Sequence, residues 1–282
     1  MLSDLTIALI GPGVMAEAML KGLLKQQLTS PQRILVAGPN AERNQELQTT
    51  YGVQPFTDNR AAAAQADIVV LSIKPQRMEK VVSELKGALK PDAFILSIIA
   101  GASIKKIARL SGHERIVRCM PNTPAQIGEG ITVWTASPQV SQAQQEMTCA
   151  FLNAFGKEIF VEEEDYLDKA TALSGTGPAY VYLFMEAMVD AGVHLGFPRR
   201  IAERLVVETL RGSVDYYDNG KGDARHLANL RNQVTSPGGT SAEALYYLEK
   251  AGFRTAISRA IWAAYQRSRE LGRDAETNPP EE

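Results

Sequence analysis

Two segments rich in glycine and hydroxyl-bearing residues are the parts of the sequence best suited to chemistry. Residues 232–241 read Asn-Gln-Val-Thr-Ser-Pro-Gly-Gly-Thr-Ser, and residues 174–180 read Ser-Gly-Thr-Gly-Pro-Ala-Tyr. Such segments bury little apolar surface, but their backbone N–H groups and hydroxyls can surround an anion or a polar small molecule. The competing interpretation is helix capping by Ser174 and Ser241, because serine is a favoured N-cap residue.

A third glycine-rich turn lies near the start of the chain, between an apolar run and a helical pattern. Residues 11–16 read Gly-Pro-Gly-Val-Met-Ala and match G-x-G-x-x-A. In this motif the first glycine permits a tight turn, the second lets the backbone approach a pyrophosphate, and the small last residue lets helix and strand pack closely. The motif predicts dinucleotide binding at Gly11, Pro12, Gly13, Val14 and Met15.

The end of the second predicted strand favours NADPH over NADH. An acidic residue at this point would accept a bond from the ribose 2′-OH and would repel a 2′-phosphate. Residues 36–43 read Val-Ala-Gly-Pro-Asn-Ala-Glu-Arg, with no carboxylate at the strand tip. Asn40 and Arg43 can instead donate to a phosphate, whereas Glu42 on the following helical turn favours NADH. NADPH is therefore the expected cofactor, and use of NADH stays open.

Two further strand ends should face the cofactor. Ligands of open α/β sheets bind beyond the carboxyl ends of the strands, which are here residues 72–76 (Ser-Ile-Lys-Pro-Gln) and residues 97–101 (Ser-Ile-Ile-Ala-Gly). The expected contacts are Ser72, Ile73, Lys74, Pro75 and Ala100. Lys74 is a candidate general acid, a charge placed near a phosphate, or a surface lysine; the positioning role is favoured.

The secondary structure that positions these segments is predicted to be of two kinds, with strands and helices alternating first and helices alone later. Strands are predicted over residues 5–10, 33–37, 68–73, 93–98, 115–118 and 131–134, and helices over 16–27, 41–50, 76–89 and 141–154. Near-continuous apolar strands are typical of a sheet that is covered on both faces. The alternation predicts an α/β Rossmann domain with a doubly wound, mainly parallel sheet over residues 1–162.

Residues 163–272 show helical patterns only and predict an all-α domain. Residues 180–193 are apolar nearly all round, so a helix here needs burial on every side. A short helical domain buries such a helix poorly, and the cover is either a second subunit or the chain's own bundle. Residues 273–282 are polar with two prolines, and we expect them to be disordered.

Composition excludes several function classes. The net charge of −2 over 282 residues provides no excess of positive charge for binding nucleic acid or an acidic membrane surface. Cys119 and Cys149 are too few for a disulfide framework and wrongly spaced for a metal site, and the three histidines show no helical pairing. We expect no metal. The first residues lack a basic segment, and the apolar run that follows is too short for a signal sequence, so a cytoplasmic location is expected.

The order of four motifs adds a family resemblance. Residues 117–124, Val-Arg-Cys-Met-Pro-Asn-Thr-Pro, resemble the R-x-M-P-N-T-P signature of pyrroline-5-carboxylate reductases. Residues 72–76 are similar to their A-V-K-P-Q strand end, residues 174–180 to S-G-S-G-P-A-Y, and residues 234–241 to V-T-S-P-G-G-T-T. The matches keep the family order and span roughly residues 5–270.

The resemblance implies NADPH-dependent reduction of (S)-1-pyrroline-5-carboxylate to L-proline by hydride transfer to the imine carbon. It also implies a helical domain that forms a homodimer, with rings of dimers in some members. The implied cofactor contacts are Gly11, Gly13, Val14, Met15, Asn59, Ser72, Lys74, Pro75, Ala100 and Asn122. The implied substrate contacts are Ser174, Gly175, Thr176 and Gly177, with Ser236, Gly238, Gly239, Thr240 and Ser241 supplied across the dimer interface.

A protonated cyclic imine is already a strong electrophile, so such a site needs only orientation, a donor at nitrogen and a place for the carboxylate. Backbone N–H groups and the start of a helix near Pro178 would hold the carboxylate. Ser241 would donate to the ring nitrogen.

Three positions depart from the family pattern, and two other functions stay open. Val14 replaces Asn, Asn232 replaces Asp, and Ser241 replaces Thr, which keeps the hydroxyl but loses the methyl that restricts its rotamer. A Rossmann domain with a helical partner also describes β-hydroxyacid dehydrogenases, for which Lys169 is the candidate catalytic lysine. The remaining alternative is a catalytically silent dinucleotide-binding module.

Overall fold

The structure is a computed structural model and describes residues 2–219 and 226–277, with side chains as far as residue 272. It divides into two compact units, Met1–Pro178 together with Ala263–Glu282, and Ala179–Trp262. This division lies further along the chain than the predicted boundary at residues 162 and 163. It also returns the last part of the chain to the first unit. The three-segment domain assignment stays a prediction.

The first unit contains an eight-stranded sheet with the order β3-β2-β1-β4-β5-β6-β7-β8. The strands are β1 (Ile7–Ile10), β2 (Ile34–Ala37), β3 (Gln54–Phe56), β4 (Ile68–Leu71), β5 (Phe94–Ser97), β6 (Ile116–Met120), β7 (Gly130–Ala136) and β8 (Gly156–Phe160). Every neighbouring pair is parallel except β6 and β7. The strand order reverses direction between β1 and β4, which is the point where open sheets of this kind bind ligands. The predicted doubly wound, mainly parallel sheet is confirmed.

All six predicted strands are present, with each end within two residues of its expected position, and the two strands that were not predicted lie at the edges of the sheet. β3 has only three residues and contains Pro55, which an edge strand tolerates because one side needs no ladder hydrogen bond. β8 reads Gly-Lys-Glu-Ile-Phe and is largely exposed. Edge strands with one open side carry little apolar pattern.

Helices cover both faces of the sheet, as the apolar strands require. They are α1 (Val14–Lys25), α2 (Ala41–Tyr51), α3 (Asn59–Gln65), α4 (Met78–Glu84), α5 (Ile104–Ser111), α6 (Gln142–Asn153) and α7 (Tyr166–Ala170). Alternate strand residues enter separate cores: Leu9 lies in one buried cluster and Ala8 in the other. The helix predicted over residues 76–89 is shorter, because a 3-10 turn at Pro75–Arg77 precedes α4 and Gly87 (φ 72°) follows it.

The remaining helices are α8 (Gly177–His194), α9 (Arg199–Asp218), α10 (Leu227–Gln233), α11 (Thr240–Lys250) and α12 (Phe253–Thr277). α12 runs into the segment predicted to be disordered, and residues 278–282 of that segment lie outside the described residues.

Helix α8 is not buried by the chain itself. Val189 is its one buried residue, whereas Leu183 is 67% exposed and Tyr182 is 62% exposed. Exposure of this extent at several apolar side chains of α8 contradicts burial inside the chain's own bundle. The alternative that remains is cover by a second subunit.

Neither a membrane span nor a metal cluster is found in the described part of the chain. No helix within residues 2–219 and 226–277 is long and apolar enough to cross a membrane. The same residues contain no group of three or more His, Cys, Asp or Glu side chains that could hold a metal ion.

Candidate active site

The glycine turn after β1 is held in place by neighbouring strand ends. The Gly11 N–H donates to the Ala37 carbonyl at 2.9 Å, and the Gly13 N–H donates to the Gly11 carbonyl at 2.8 Å. Gly11 has a φ of 92°, and a Cβ there would lie 2.6 Å from Cγ2 of Ile73 and 3.0 Å from the Ser72 carbonyl oxygen. Only glycine fits this left-handed and crowded position.

Gly13 is glycine for a different reason. It has an extended backbone (φ −84°) as the N-cap of α1, and a Cβ there would meet nothing within 4 Å. No side chain caps this 12-residue helix, so its first N–H groups have no side-chain acceptor at the N-cap. Val14 at this end is 60% exposed. An open helix N-terminus behind a bare glycine fits a pyrophosphate.

The end of β4 supports this turn. The Ser72 hydroxyl donates to the carbonyls of Ile10 and Gly11 at 3.1 and 2.9 Å, so it braces the turn. Ile73 packs beneath Gly11. Lys74 is exposed before the turn at Pro75–Arg77, and within the described residues it forms no ion pair. Its charge is therefore available to an anion.

Asn40 and Arg43, the two residues expected at a 2′-phosphate, both have partners within the chain. Asn40 caps α2, and its Oδ1 accepts from the Arg43 N–H at 3.0 Å. The Arg43 guanidinium donates from Nε to the Pro12 carbonyl at 3.2 Å, pairs with Glu46 at 2.7 Å and also pairs with Glu17. Arg43 therefore links the glycine turn to α1 and α2.

Glu17 is the anionic centre of this cluster, and the sequence analysis did not find it. Its carboxylate accepts a hydrogen bond from the Tyr51 hydroxyl at 2.6 Å and pairs with Lys21 at 3.0 Å as well as with Arg43. The Tyr51 hydrogen bond is the main cause that lowers the pKa of Glu17 from 4.5 to about 2, with smaller contributions from Arg43 and Lys21. Its spacing from Lys21 (i, i+4) was the available signal; Arg43 and Tyr51 are distant in sequence.

We expect Glu17→Gln to lower the free energy of unfolding by about 1–2 kcal/mol at pH 7, after allowance for solvent screening of a partly exposed group. Because the folded pKa lies below the unfolded one, this stabilisation is complete above pH 4.5 and disappears as the pH falls through about 2. Urea unfolding of both proteins between pH 7 and pH 2.5 measures the difference. Glu42→Gln, at an exposed carboxylate of α2, is the control; an equal loss there would contradict the prediction.

Asn59 offers an unused acceptor beyond the end of β3. It is the first residue of α3, and its Nδ2 lies 3.5 Å from a Glu84 oxygen. Its Oδ1 is buried and has no hydrogen-bond partner among the described residues. A buried acceptor without a partner is costly, and a ribose hydroxyl would satisfy it.

Residues 174–180, which are predicted to bind substrate and are called the first substrate loop, begin within a π turn. α7 continues into a π-helical turn at Thr171–Gly175 before α8 starts at Gly177. The Ser174 hydroxyl donates to the Ala170 carbonyl at 3.0 Å, and both the N–H and the hydroxyl of Thr176 donate to the Thr171 carbonyl. Ser174 is therefore not an N-cap, and the capping interpretation is wrong here. Single π turns recur at functional sites.

This loop lies against the end of β6. A Cβ on Gly175 would meet Cγ and Sδ of Met120 at 3.7 Å, an ordinary contact. Two residues further on, the Asn122 Oδ1 accepts from the Ile131 N–H at 2.9 Å, so Asn122 orders the turn between β6 and β7. The structure thus brings the Met-Pro-Asn segment and the first substrate loop together.

Residues 234–241, which are predicted to bind substrate and are called the second substrate loop, run into the start of α11. Gly238 has a φ of 70°, and a Cβ on Gly239 would lie 2.5 Å from the Ser236 hydroxyl oxygen. Gly239 is the N-cap, without a side-chain hydrogen bond, and Thr240 is the first helical residue. Ser241 lies in the first turn, so the capping interpretation is wrong here too. No hydrogen bond of the Ser241 hydroxyl is found within the described ranges, which leaves it free for a ligand.

Lys169 is poorly suited to proton transfer. Its Nζ pairs with Asp165 at 2.6 Å and lies 4.3 Å from the centre of the Tyr166 ring. The hydrogen bond to Asp165 raises its pKa further above neutrality, whereas a general acid–base group works best near the operating pH. This surface ion pair gives no support to the hydroxyacid dehydrogenase alternative.

Comparison with known proteins assigns the chain to a family. Residues 164–271 match the family described as "Pyrroline-5-carboxylate reductase dimerisation", and residues 6–101 match "NADP oxidoreductase coenzyme F420-dependent". The pyrroline-5-carboxylate reductases of Synechocystis and Pseudomonas aeruginosa are each 40% identical, over 96% and 94% of this chain and 99% and 96% of their own lengths. The crystal structure of Plasmodium falciparum pyrroline carboxylate reductase with NADP bound has a TM-score of 0.88 at 30% identity, over 96% of this chain and 100% of that one. The chain belongs to the pyrroline-5-carboxylate reductase family.

Proposed function

We propose that the protein reduces (S)-1-pyrroline-5-carboxylate to L-proline with NADPH. The observation that carries the proposal is the start of α11, where Gly239 leaves the helix uncapped and the Ser241 hydroxyl has no partner within the described residues. A free hydroxyl beside bare backbone N–H groups matches the needs of an imine that bears a carboxylate.

The residues around the glycine turn fit the cofactor, which supplies the hydride when bound. Gly11 to Met15 and the start of α1 would hold the pyrophosphate. Arg43 and Asn40 would lie near the adenosine phosphate, with Arg43 exchanging a carboxylate partner for the phosphate. The Asn59 acceptor would receive a ribose hydroxyl. The strand end of Ser72, Ile73, Lys74 and Pro75 would provide further contacts, as would Ala100 and Asn122. Lys74 acts as a positioning charge.

The substrate loops would bind and orient the ring. N–H groups at the start of α11 and in the Ser174, Gly175, Thr176 and Gly177 segment would hold the carboxylate, together with Ser236, Gly238, Gly239 and Thr240. Ser241 Oγ would donate to the ring nitrogen. Because the imine is reactive when protonated, a hydroxyl that orients this nitrogen is sufficient and no His–Asp pair is required.

The test is to follow NADPH absorbance after pyrroline-5-carboxylate is added to the purified protein, with NADH in parallel. Rapid oxidation with proline as the product supports the proposal. Faster oxidation of NADPH than of NADH supports the preference for NADPH that was predicted from the residues at the end of β2. NADPH binding without oxidation would instead indicate the silent module. Oxidation of a hydroxy acid with NADP, lost in Lys169→Ala, would indicate the dehydrogenase.

We further propose that the helical segment pairs two chains into a homodimer, with a ring of dimers as the larger assembly. The exposed apolar side chains of α8 support this, because a second copy would remove them from water. The match of residues 164–271 to a dimerisation family supports the same arrangement. In it, the second substrate loop of one chain would complete the site of the other.

We expect Leu183→Glu to shift the protein from dimer to monomer and to abolish turnover, because a carboxylate would be buried at the interface. Sedimentation velocity and the NADPH assay measure both effects. Leu183→Met keeps an apolar side chain of similar volume and should behave as the wild type. A dimeric Leu183→Glu protein would remove α8 from the interface.

A cytoplasmic location is also part of the proposal. Cys119 and Cys149 are free thiols in the structure, which is typical of a reducing compartment. Detection of the protein with cytoplasmic markers after cell fractionation tests this.

A further inference from the structure

Arg118 is a buried arginine that holds two carboxylates at once. It lies on β6 with a side chain that is 3% exposed, donating to Glu164 at 3.0 Å and to Asp168 at 3.2 Å. Its Nε is buried without a hydrogen-bond partner among the described residues. A buried charge is costly unless it is well paired, so these two ion pairs account for its position. Two different nitrogens of the planar guanidinium, Nη1 and Nη2, contact the two carboxylates, whereas the ammonium of a lysine presents its donors from a single point.

Each carboxylate also accepts a bond from another element of the first unit. Glu164 accepts from the N–H of Ile104 at 2.8 Å, at the start of α5 and shortly after Ala100. Asp168 accepts from the hydroxyl of Ser268 on α12 at 2.8 Å. The Arg118 cluster, defined as Arg118, Glu164, Asp168 and Ser268, therefore joins β6, α7, the region after β5 and α12.

The cluster leads directly into the first substrate loop. Asp168 lies on α7, and the Thr171 hydroxyl donates back to the Leu167 carbonyl at 2.7 Å. The Thr171 carbonyl then accepts two bonds from Thr176. A displacement of α7 would therefore move residues 171–177 as a whole.

We propose that Arg118 is a positioning residue, which fixes α7 and so places residues 171–177 relative to the cofactor-facing turn after β5. Its kinetic consequence rests on the proposed reductase function. A merely structural role would reduce folding stability and every binding step alike. A positioning role would affect substrate binding and turnover but spare the dinucleotide turn at Gly11, which no hydrogen bond or ion pair of the described residues joins to the cluster.

The experiment compares Arg118→Lys with Arg115→Lys in the full-length protein. Arg115 lies next to the same strand, pairs with Asp92 at 3.5 Å and has a side chain that is 34% exposed. Hydrogen–deuterium exchange of residues 171–177, kcat and KM for pyrroline-5-carboxylate, and the Kd of NADPH are measured on the folded fraction. In Arg118→Lys we expect faster exchange at 171–177 and a fall in kcat/KM of about 10²-fold, the scale of a misplacement of about 1 Å. The NADPH Kd should stay within about twofold, and Arg115→Lys should match the wild type.

An unchanged hydrogen–deuterium exchange rate at residues 171–177 in Arg118→Lys would overturn the inference. It would also be overturned if the NADPH Kd increased by the same factor by which kcat/KM decreased. If Arg118→Lys does not fold, Ser268→Ala decides by the same measurements, with a fall in kcat/KM of about 2- to 10-fold for one lost hydrogen bond. If the wild type does not oxidise NADPH with pyrroline-5-carboxylate, the proposed function fails. The exchange rates then still decide whether Arg118 positions the loop.

Discussion

Replacing Gly11 with alanine should greatly weaken NADPH binding and also destabilise the protein. The new Cβ would lie 2.6 Å from Ile73 and 3.0 Å from the Ser72 carbonyl oxygen, at a φ of 92° that side chains rarely adopt. Strain at such a position costs about 1–3 kcal/mol, and the overpacking adds a similar amount. Since Ser72 and Ile73 belong to the same predicted cofactor surface, the turn can relax only by moving residues that bind the dinucleotide. We expect the Kd of NADPH to rise by more than about 100-fold, about 2.7 kcal/mol.

Gly13→Ala is the matched control, because the two glycines differ in what surrounds them. A Cβ at Gly13 meets nothing within 4 Å and the φ is −84°, so unfolding should change by less than about 1 kcal/mol. NADPH binding should still weaken by about tenfold or more, because the methyl occupies space that a pyrophosphate would approach. Fluorescence titration with NADPH and urea unfolding measure both proteins. Normal NADPH affinity in Gly13→Ala would place the dinucleotide elsewhere.

Ser241→Ala should lower kcat by about 10²–10³-fold, which is the usual cost of removing one preorganised donor from a reacting site. The Kd of NADPH should stay unchanged, because Ser241 is assigned to the substrate and the dinucleotide is assigned to the glycine turn after β1. No cap is lost, since Gly239 is the N-cap of α11, so stability should be close to that of the wild type.

Ser241→Thr supplies the control for the same hydroxyl. Threonine keeps the O–H donor and adds a methyl that restricts its rotamer, so activity should be retained. Steady-state kinetics with pyrroline-5-carboxylate compare the three proteins. Full turnover in Ser241→Ala would remove this hydroxyl from the reaction.

Local pattern predicted most of the fold because most of the sheet is buried. β1, β2, β4 and β5 are fully buried four-residue strands, and all their residues are apolar except Ser97 at the end of β5. β3 and β8 lie at the edges, where exposure removes that signal. The apolar character of α8 predicted that the helix is buried, but it did not show whether a second subunit or the chain's own helices bury it.

The sequence predicted candidate site segments where short local motifs mark them. Glycine and hydroxyl motifs marked both loops and the turn at Gly11. The role of Arg118 was not predicted although it stands inside the quoted signature, because its partners Glu164 and Asp168 are 46 and 50 residues away. An arginine within an apolar strand must find a carboxylate partner, but the sequence does not show which acids lie near it. Only the fold shows that these two acids, four residues apart, are the partners.

The hydrogen bond from Ser268 to Asp168 joins residues that are 100 positions apart, and it has a consequence for how the chain matures. The first unit cannot be completed while the ribosome is still translating the helical segment, because the last part of α12 belongs to it. Contacts of such long sequence separation form late and slow folding. The nascent Rossmann sheet must therefore persist with Asp168 lacking its Ser268 partner until α12 has been translated, and we expect chaperones to bind it most during that interval.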